Sequence, residues 1–348
     1  MSLTKYFRKQ IIDEILDIIL LTYRIQVNEI SAKYNISKQT VYGYLRTLVK
    51  EGVIEKKTVS VNNKKMTLYM IKKHRYISTF KADEIAEDVI WIKNIYPFLP
   101  KVEKNILDIC AYGFTEMLNN AIDHAEAEKI IIDVQYSTKR IRFILYDNGI
   151  GIFKNIQQKL GLINISDSIL ELYKGKLTTD PSKHTGEGIF FTSRCFDEFN
   201  ILSSELFYAH SDKGTNDYLW VNRNNRKGTA IFMTISFDNK KTLEEVFNNF
   251  TDSDTREFSK TCIPVKMMKQ EGIELISRSQ AKRLLSRFDS FKEIVLDFTD
   301  VTTIGQAFAD EVFRVFVNQH PGIDITYINT NDTVLSMIKH VLNNNQGR

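Results

Sequence analysis

Residues 140–152, RIRFILYDNGIGI, constrain the fold more than any other stretch of this chain. With KIIIDVQYS just before them they read as a hairpin of β-rich strands, the second running without a break into Asp147-Asn148-Gly149-Ile150-Gly151. Alternating glycines directly after a buried strand let the backbone come close to a ligand, and Asp147 is left as a carboxylate at the strand's end. Standing alone, such a pentapeptide is more often a hairpin turn. It does not stand alone.

Upstream, residues 101–125 (KVEKNILDICAYGFTEMLNNAIDHA) set Ile106, Cys110, Phe114, Met117 and Ala121 along the apolar stripe of a long helix. Glu116, Asn120 and His124 recur every four residues on a different face, so a carboxylate, an amide and an imidazole stack along one line. Downstream, His184-Thr185-Gly186-Glu187-Gly188 precedes an apolar-periodic helix, IFFTSRCFDEF. A glycine-rich loop opening a helix offers N–H groups and a positive dipole end to an anion. Residues 227–235, KGTAIFMTI, read as a turn entering a core strand, and residues 76–100 as a boundary segment holding a helix, acidic at its start and ended by Pro97 and Pro100.

The order E-x-x-x-N-x-x-D-H, then D-N-G-I-G, G-x-G and G-T before a strand resembles the GHKL ATPase superfamily, which includes gyrase B subunits, heat-shock chaperones, mismatch-repair proteins, histidine kinases and anti-sigma serine kinases. The likeness covers about residues 83–240. It implies a Bergerat-type α/β sandwich that binds ATP with Mg²⁺. By the same resemblance Asn120 ligates the Mg²⁺ that bridges the phosphates, and Asp147 accepts a hydrogen bond from the adenine amino group. Gly149 and Gly151 flank the base, Gly186 and Gly188 line the triphosphate, Thr229 supports the adenine network, and Glu116 is the general base. These roles are chemically coherent. Mg²⁺ prefers hard oxygen ligands and keeps several waters, so one amide oxygen plus phosphates suffices. A carboxylate accepts the exocyclic donor of adenine but repels the acceptor that guanine presents there, so the pocket selects ATP over GTP. Glu116 stays open between activating a water or hydroxyl and orienting water, and His124 between a packing residue and a phosphate contact. Residues 153–185 are the expected lid, whose Lys174, Lys176 and Lys183 read as solvated, with one of them reaching the γ-phosphate as the alternative.

Charge sets the N-terminal segment apart. Residues 1–75 hold 15 Lys and Arg against 6 Asp and Glu, a net of +9, whereas the whole chain carries +4, so the remainder carries −5. Such polarisation points to a polyanionic partner, a solvated lysine-rich face being the alternative. Residues 5–22 have helical apolar spacing at Phe7, Ile11, Ile15, Ile18 and Ile19; a short helix spans 27–34, Asn35-Ile36 turn, and Ser37 caps a third helix that Gly52 ends. The alternation on both sides of Asn62-Asn63 predicts a hairpin. This pattern resembles a winged helix-turn-helix over residues 1–75. The resemblance implies that Lys38, Gln39, Thr40 and Tyr42 enter the major groove of DNA, while Arg46, Lys64 and Lys65 hold its backbone. A winged helix used for protein contacts or dimerisation is the other reading.

From residue 250 to 348 strands and helices alternate, which predicts a parallel or mixed sheet with helices packed on it. The run IVLDFTDVTTIGQAFADEVF resembles a STAS-like domain, the fold of anti-anti-sigma factors, and implies a protein partner. Those factors carry a phosphorylatable serine in a D-S-S-G turn; here the residues are Ile304-Gly305-Gln306-Ala307.

The expected architecture is α+β multidomain: a winged helix over 1–75, the ATP-binding sandwich over 76–240 and a STAS-like α/β domain over 250–348. The longest apolar stretch near the start, residues 11–21, is interrupted by Asp13, Glu14 and Asp17, short of the roughly 20 clean residues that span a bilayer. Three cysteines without a CxxC pair argue against a disulfide framework or zinc, and for a reducing cytoplasm. The expected function is a cytoplasmic regulator that couples Mg-ATP binding, with slow hydrolysis, to DNA binding. A serine kinase acting on a partner and an ATP-driven dimer clamp are the alternatives, with a homodimer left open.

Overall fold

The computed structural model describes residues 3–22, 24–61, 64–177, 186–211, 218–268 and 274–343. Its contacts form two compact units, residues 1–76 with 135–141, and residues 77–134 with 142–348.

In the first unit, helices α1 (Leu3–Thr22), α2 (Val27–Tyr34) and α3 (Lys38–Lys50) precede an antiparallel pair, β1 (Ile54–Val61) and β2 (Lys64–Ile71), in register from Ile54 opposite Ile71 to Val61 opposite Lys64. Ile11, Ile15, Ile19, Ile30, Val41, Leu45 and Leu48 meet in its core with Ile54 and Ile71. Asn35 ends α2 in the left-handed conformation (φ 50°), which an asparagine tolerates, and Ile36 N–H then bonds the Ser31 carbonyl at 3.1 Å. Ser37 Oγ accepts the Thr40 N–H at 3.1 Å and starts α3.

The second unit contains most of a five-stranded sheet in the order β3-β4-β5-β7-β6: β3 (His74–Lys81), β4 (Lys129–Tyr136), β5 (Arg140–Asp147), β6 (Glu198–Ser211) and β7 (Tyr218–Ser236). The segment 76–100, expected to hold a helix, therefore opens with a strand that the sequence reading did not anticipate. Its residues alternate exposed with half-buried positions at the sheet's edge, where the apolar signal of a strand is weakest. The helix of that segment begins only at α4 (Glu87–Ile90) and continues as a π turn through Trp91–Ile95.

Helix α5 (Lys104–His124) lies against the buried face of β5, with Phe114 and Phe143 rings 6.0 Å apart and Phe143 and Phe196 6.3 Å apart. Between β5 and β6 come α6 (Ile152–Leu160), α7 (Asp167–Lys174) and α8 (Gly188–Cys195). Residues 153–177, expected to be a polar lid, are thus largely helical, and α7 is buried at Ile169, Leu170, Glu171, Leu172 and Lys174.

After α9 (Leu243–Asn248), strands β8 (Lys260–Pro264), β9 (Glu293–Asp297) and β10 (Asp324–Ile328) form a parallel sheet in the order β10-β9-β8. They alternate with α10 (Arg278–Leu285), with α11 (Gln306–Asp310), which runs through a π turn into α12 (Val317–Gln319), and with α13 (Asp332–Asn343). Parallel strands need such crossover helices. This portion and the central sheet belong to one compact unit. Among the described residues, no helix is long and apolar enough to cross a membrane.

Candidate functional site

A cavity of about 280 Å³ opens in the second unit, near the lower end of the roughly 300–1,000 Å³ common for small-molecule sites. Glu116, Asn120 and His124, the four-residue row on α5, all line it, together with Asp147, Gly186, Gly188 and Thr229. Helical spacing has therefore placed the row where the sequence implied, on one polar wall. Apolar walls come from Met117, Leu145, Ile152, Ile156, Leu172 and Ile231, several of them in α6 and α7, elements that motif reasoning had treated as loop. Asn155 was also missed. It is buried, lines the cavity and donates through Nδ2 to the His124 carbonyl at 2.9 Å. The helical period of residues 152–156 was the signal that could have revealed it.

Asp147 ends β5 with its side chain buried. Its Oδ1 accepts the N–H of Gly149 at 2.9 Å and of Thr229 at 3.2 Å. Burial pushes its carboxyl above the usual carboxylate range, and those two N–H bonds oppose the shift. Thr229 is itself held, its Oγ1 accepting the Ile152 N–H at 3.0 Å, so β7, β5 and the start of α6 are tied together at this carboxylate.

Gly149 and Gly151 do not line the cavity. A Cβ on Gly149 would lie 1.9 Å from the Ala125 carbonyl oxygen, and one on Gly151 (φ +89°) 2.7 Å from Ser203 Oγ. Their lack of side chains lets the turn pack on the C-terminal end of α5 and on β6, so the close approach is to protein backbone and side chain. Gly188 is different: a Cβ there would meet Glu116 Oε2 at 2.1 Å, so the carboxylate rests against the first residue of α8. His184 and Thr185 lie outside the described residues.

Asn120 Nδ2 is shut off from solvent and has no hydrogen-bond partner among the described residues. A buried amide nitrogen left so is costly. No group of three or more metal-binding His, Cys, Asp or Glu side chains occurs among the described residues.

In the first unit, Lys38, Gln39, Tyr42 and Arg46 are exposed along one face of α3, opposite the buried Val41, Leu45 and Leu48. Thr40 is half-buried and its hydroxyl is engaged with Ser37 Oγ at 2.9 Å, so it serves the helix cap before any base. Lys65 is exposed on β2; Lys64 sits on the same strand, its side chain outside the described residues. Exposed Lys56 and Lys57 on β1 add to the basic surface and were not singled out from the sequence.

Compared with known families, residues 10–55 match the model described as winged helix-turn-helix DNA-binding, and residues 280–335 match that described as a STAS-like domain of unknown function. No curated protein matches the chain. The fold is α+β, with a winged helix-turn-helix, which supports DNA binding, at the N-terminus and a STAS-like domain, which suggests regulation, at the C-terminus.

Proposed function

We propose that the second unit binds ATP with Mg²⁺ in the manner of the GHKL ATPases, and that nucleotide state regulates DNA binding by the winged helix. One observation carries this reading: a single cavity joins Asn120 on α5, whose buried Nδ2 has no hydrogen-bond partner among the described residues, to the buried carboxylate of Asp147 at the end of β5. The first suits the phosphate end of a nucleotide, the second its adenine. Helix α5 beside a sheet whose strands are interleaved with α6, α7 and α8 supports a Bergerat-type sandwich.

Asn120 fits the metal as well as the phosphates. Its amide can present the nitrogen to a phosphate oxygen or, turned over, the oxygen to Mg²⁺, since both orientations have the same shape. When bound, the ion neutralises phosphate charge. Asp147 keeps acceptor capacity beyond its two backbone bonds for the adenine amino group, and would repel the guanine carbonyl. Gly186, Glu187 and Gly188, which lead into α8 and line the cavity, would offer backbone N–H groups to the phosphates. Glu116, one turn before Asn120, orients a water or hydroxyl and takes its proton.

Calorimetric titration with ATP and Mg²⁺ tests the reading. The wild type binds ATP in preference to GTP, and Asn120→Ala weakens ATP binding at least tenfold, about 1.4 kcal/mol. A wild type indifferent to adenine nucleotides would end the proposal. With γ-labelled ATP, release of phosphate supports hydrolysis, whereas label on protein replaces it with kinase activity.

A further inference from the structure

The helix that walls the cavity is fastened from behind by the STAS-like domain. Leu172 of α7 and Leu177 just past it line the cavity, while Glu171 and Lys174 are buried against residues 283–288. The Lys174 side chain has no solvent exposure: Nζ donates to Glu171 Oε1 at 2.6 Å and to the carbonyls of Ser286 at 2.7 Å and Arg283 at 3.3 Å. Glu171 Oε2 accepts from Arg287 Nη1 at 3.0 Å, and Nη2 of the same guanidinium donates to the carbonyls of Gly175 at 3.1 Å and Lys176 at 2.5 Å. Arg283 stands 3.6 Å from Asp167 at the other end of α7. Lys176 Nζ donates to the Ser290 carbonyl at 2.7 Å, and Thr261 Oγ1 to the Lys174 carbonyl at 3.0 Å.

Buried charge is a poor source of stability, because desolvating each ion offsets most of the attraction; apolar side chains would hold two surfaces together as well. What ions and forked hydrogen bonds supply is a fixed register. Arg287 grips the main chain at 175 and 176, and the next N–H, that of Leu177, bonds the Gly186 carbonyl at 3.1 Å. Gly186 (φ +73°) packs so closely there that a Cβ would meet the Leu177 carbonyl carbon at 2.4 Å. The path from the STAS-like domain to the cavity is four residues long.

We infer that Arg287, with Glu171 and Lys174, is a positioning lock through which the STAS-like domain sets the shape of the nucleotide cavity and hence its affinity. The inference rests on the nucleotide reading above and assigns the C-terminal domain a regulatory task within the chain. Arg287 touches no ligand. It acts through Gly175, Lys176 and Leu177.

The test uses the full chain and titration with ATP and Mg²⁺, beside amide hydrogen exchange at Leu177. Arg287→Met removes the fork at similar volume; it should weaken ATP binding at least tenfold and speed Leu177 exchange, while amides buried in α5 exchange as before. Arg287→Lys, which keeps the charge but loses the fork, should fall between. Wild-type affinity within twofold in Arg287→Met overturns the lock alone, since the wild type still binds. A wild type that does not bind ATP overturns the nucleotide reading and this inference together. Should Arg287→Met fail to fold, Arg287→Lys decides, a change under threefold overturning the lock.

Discussion

At Gly188 there is no room for a side chain, because Glu116 Oε2 already occupies the place of its Cβ. Gly188→Ala must move that carboxylate, and a flexible glutamate end can move at modest cost to the fold. Phosphate release from ATP should therefore fall at least tenfold in this variant with the melting temperature little changed; an unaltered rate would remove Glu116 from the reaction. At Asp147 the carboxyl is held above its ordinary range by burial. As pH falls the folded group takes up its proton earlier than a free aspartate, and the acceptor proposed for the adenine amino group becomes a donor. ATP affinity is expected to be full near neutral pH and to weaken on acidification while ordinary carboxylates are still ionised, with the same acid limb in Asn120→Ala. Residue types and their four-residue spacing on α5 were legible in the sequence. That Gly149 and Gly151 serve the contact with Ala125 and Ser203 was not, because a glycine in a motif does not say which neighbour needs the space.

Helix α7 shows why element-level reading went astray. Its Lys174 reads from the sequence as a solvated lid lysine, yet burial above all, with the charge of Arg287, pulls its ammonium down to about 8 against the opposing effects of Glu171 and Asp167. Glu171→Ala leaves the buried Lys174 without its counter-charge and should cost about 3–5 kcal/mol, read as a lower denaturant midpoint. Helix α3, by contrast, was legible from its Ser37 cap and its place in the helix-turn-helix pattern: Val41, Leu45 and Leu48 are buried and Lys38, Gln39, Tyr42 and Arg46 exposed. If Arg46 neutralises a phosphate, Arg46→Ala weakens DNA binding across sequences and lowers the salt-dependence slope by about 1, measured by anisotropy over a salt series. An unchanged slope takes Arg46 off the phosphate backbone.

On the scale of the molecule, the central sheet and the STAS-like portion are one unit. Phe190 and Phe191 of α8 pack on Phe258 at 4.5 and 5.1 Å between centroids, and Phe258 packs on Phe291 at 5.4 Å. A chain ended after residue 249 should expose Phe190 and Phe191, bind a hydrophobic dye and melt well below the full protein; a fragment that melts like the parent would show the two portions to be independent. The sequence by itself determined the helices and hairpin of residues 1–71, the helix α5 with the β4–β5 hairpin after it, and the chemistry offered along α5, since these depend on side-chain spacing over a few neighbours. Which charges are buried, and against what, was decided only in three dimensions: Lys174 finds the Ser286 carbonyl 112 positions away. Desolvation is set by whatever packs on a group, and no local pattern records a partner that arrives from a distant part of the chain.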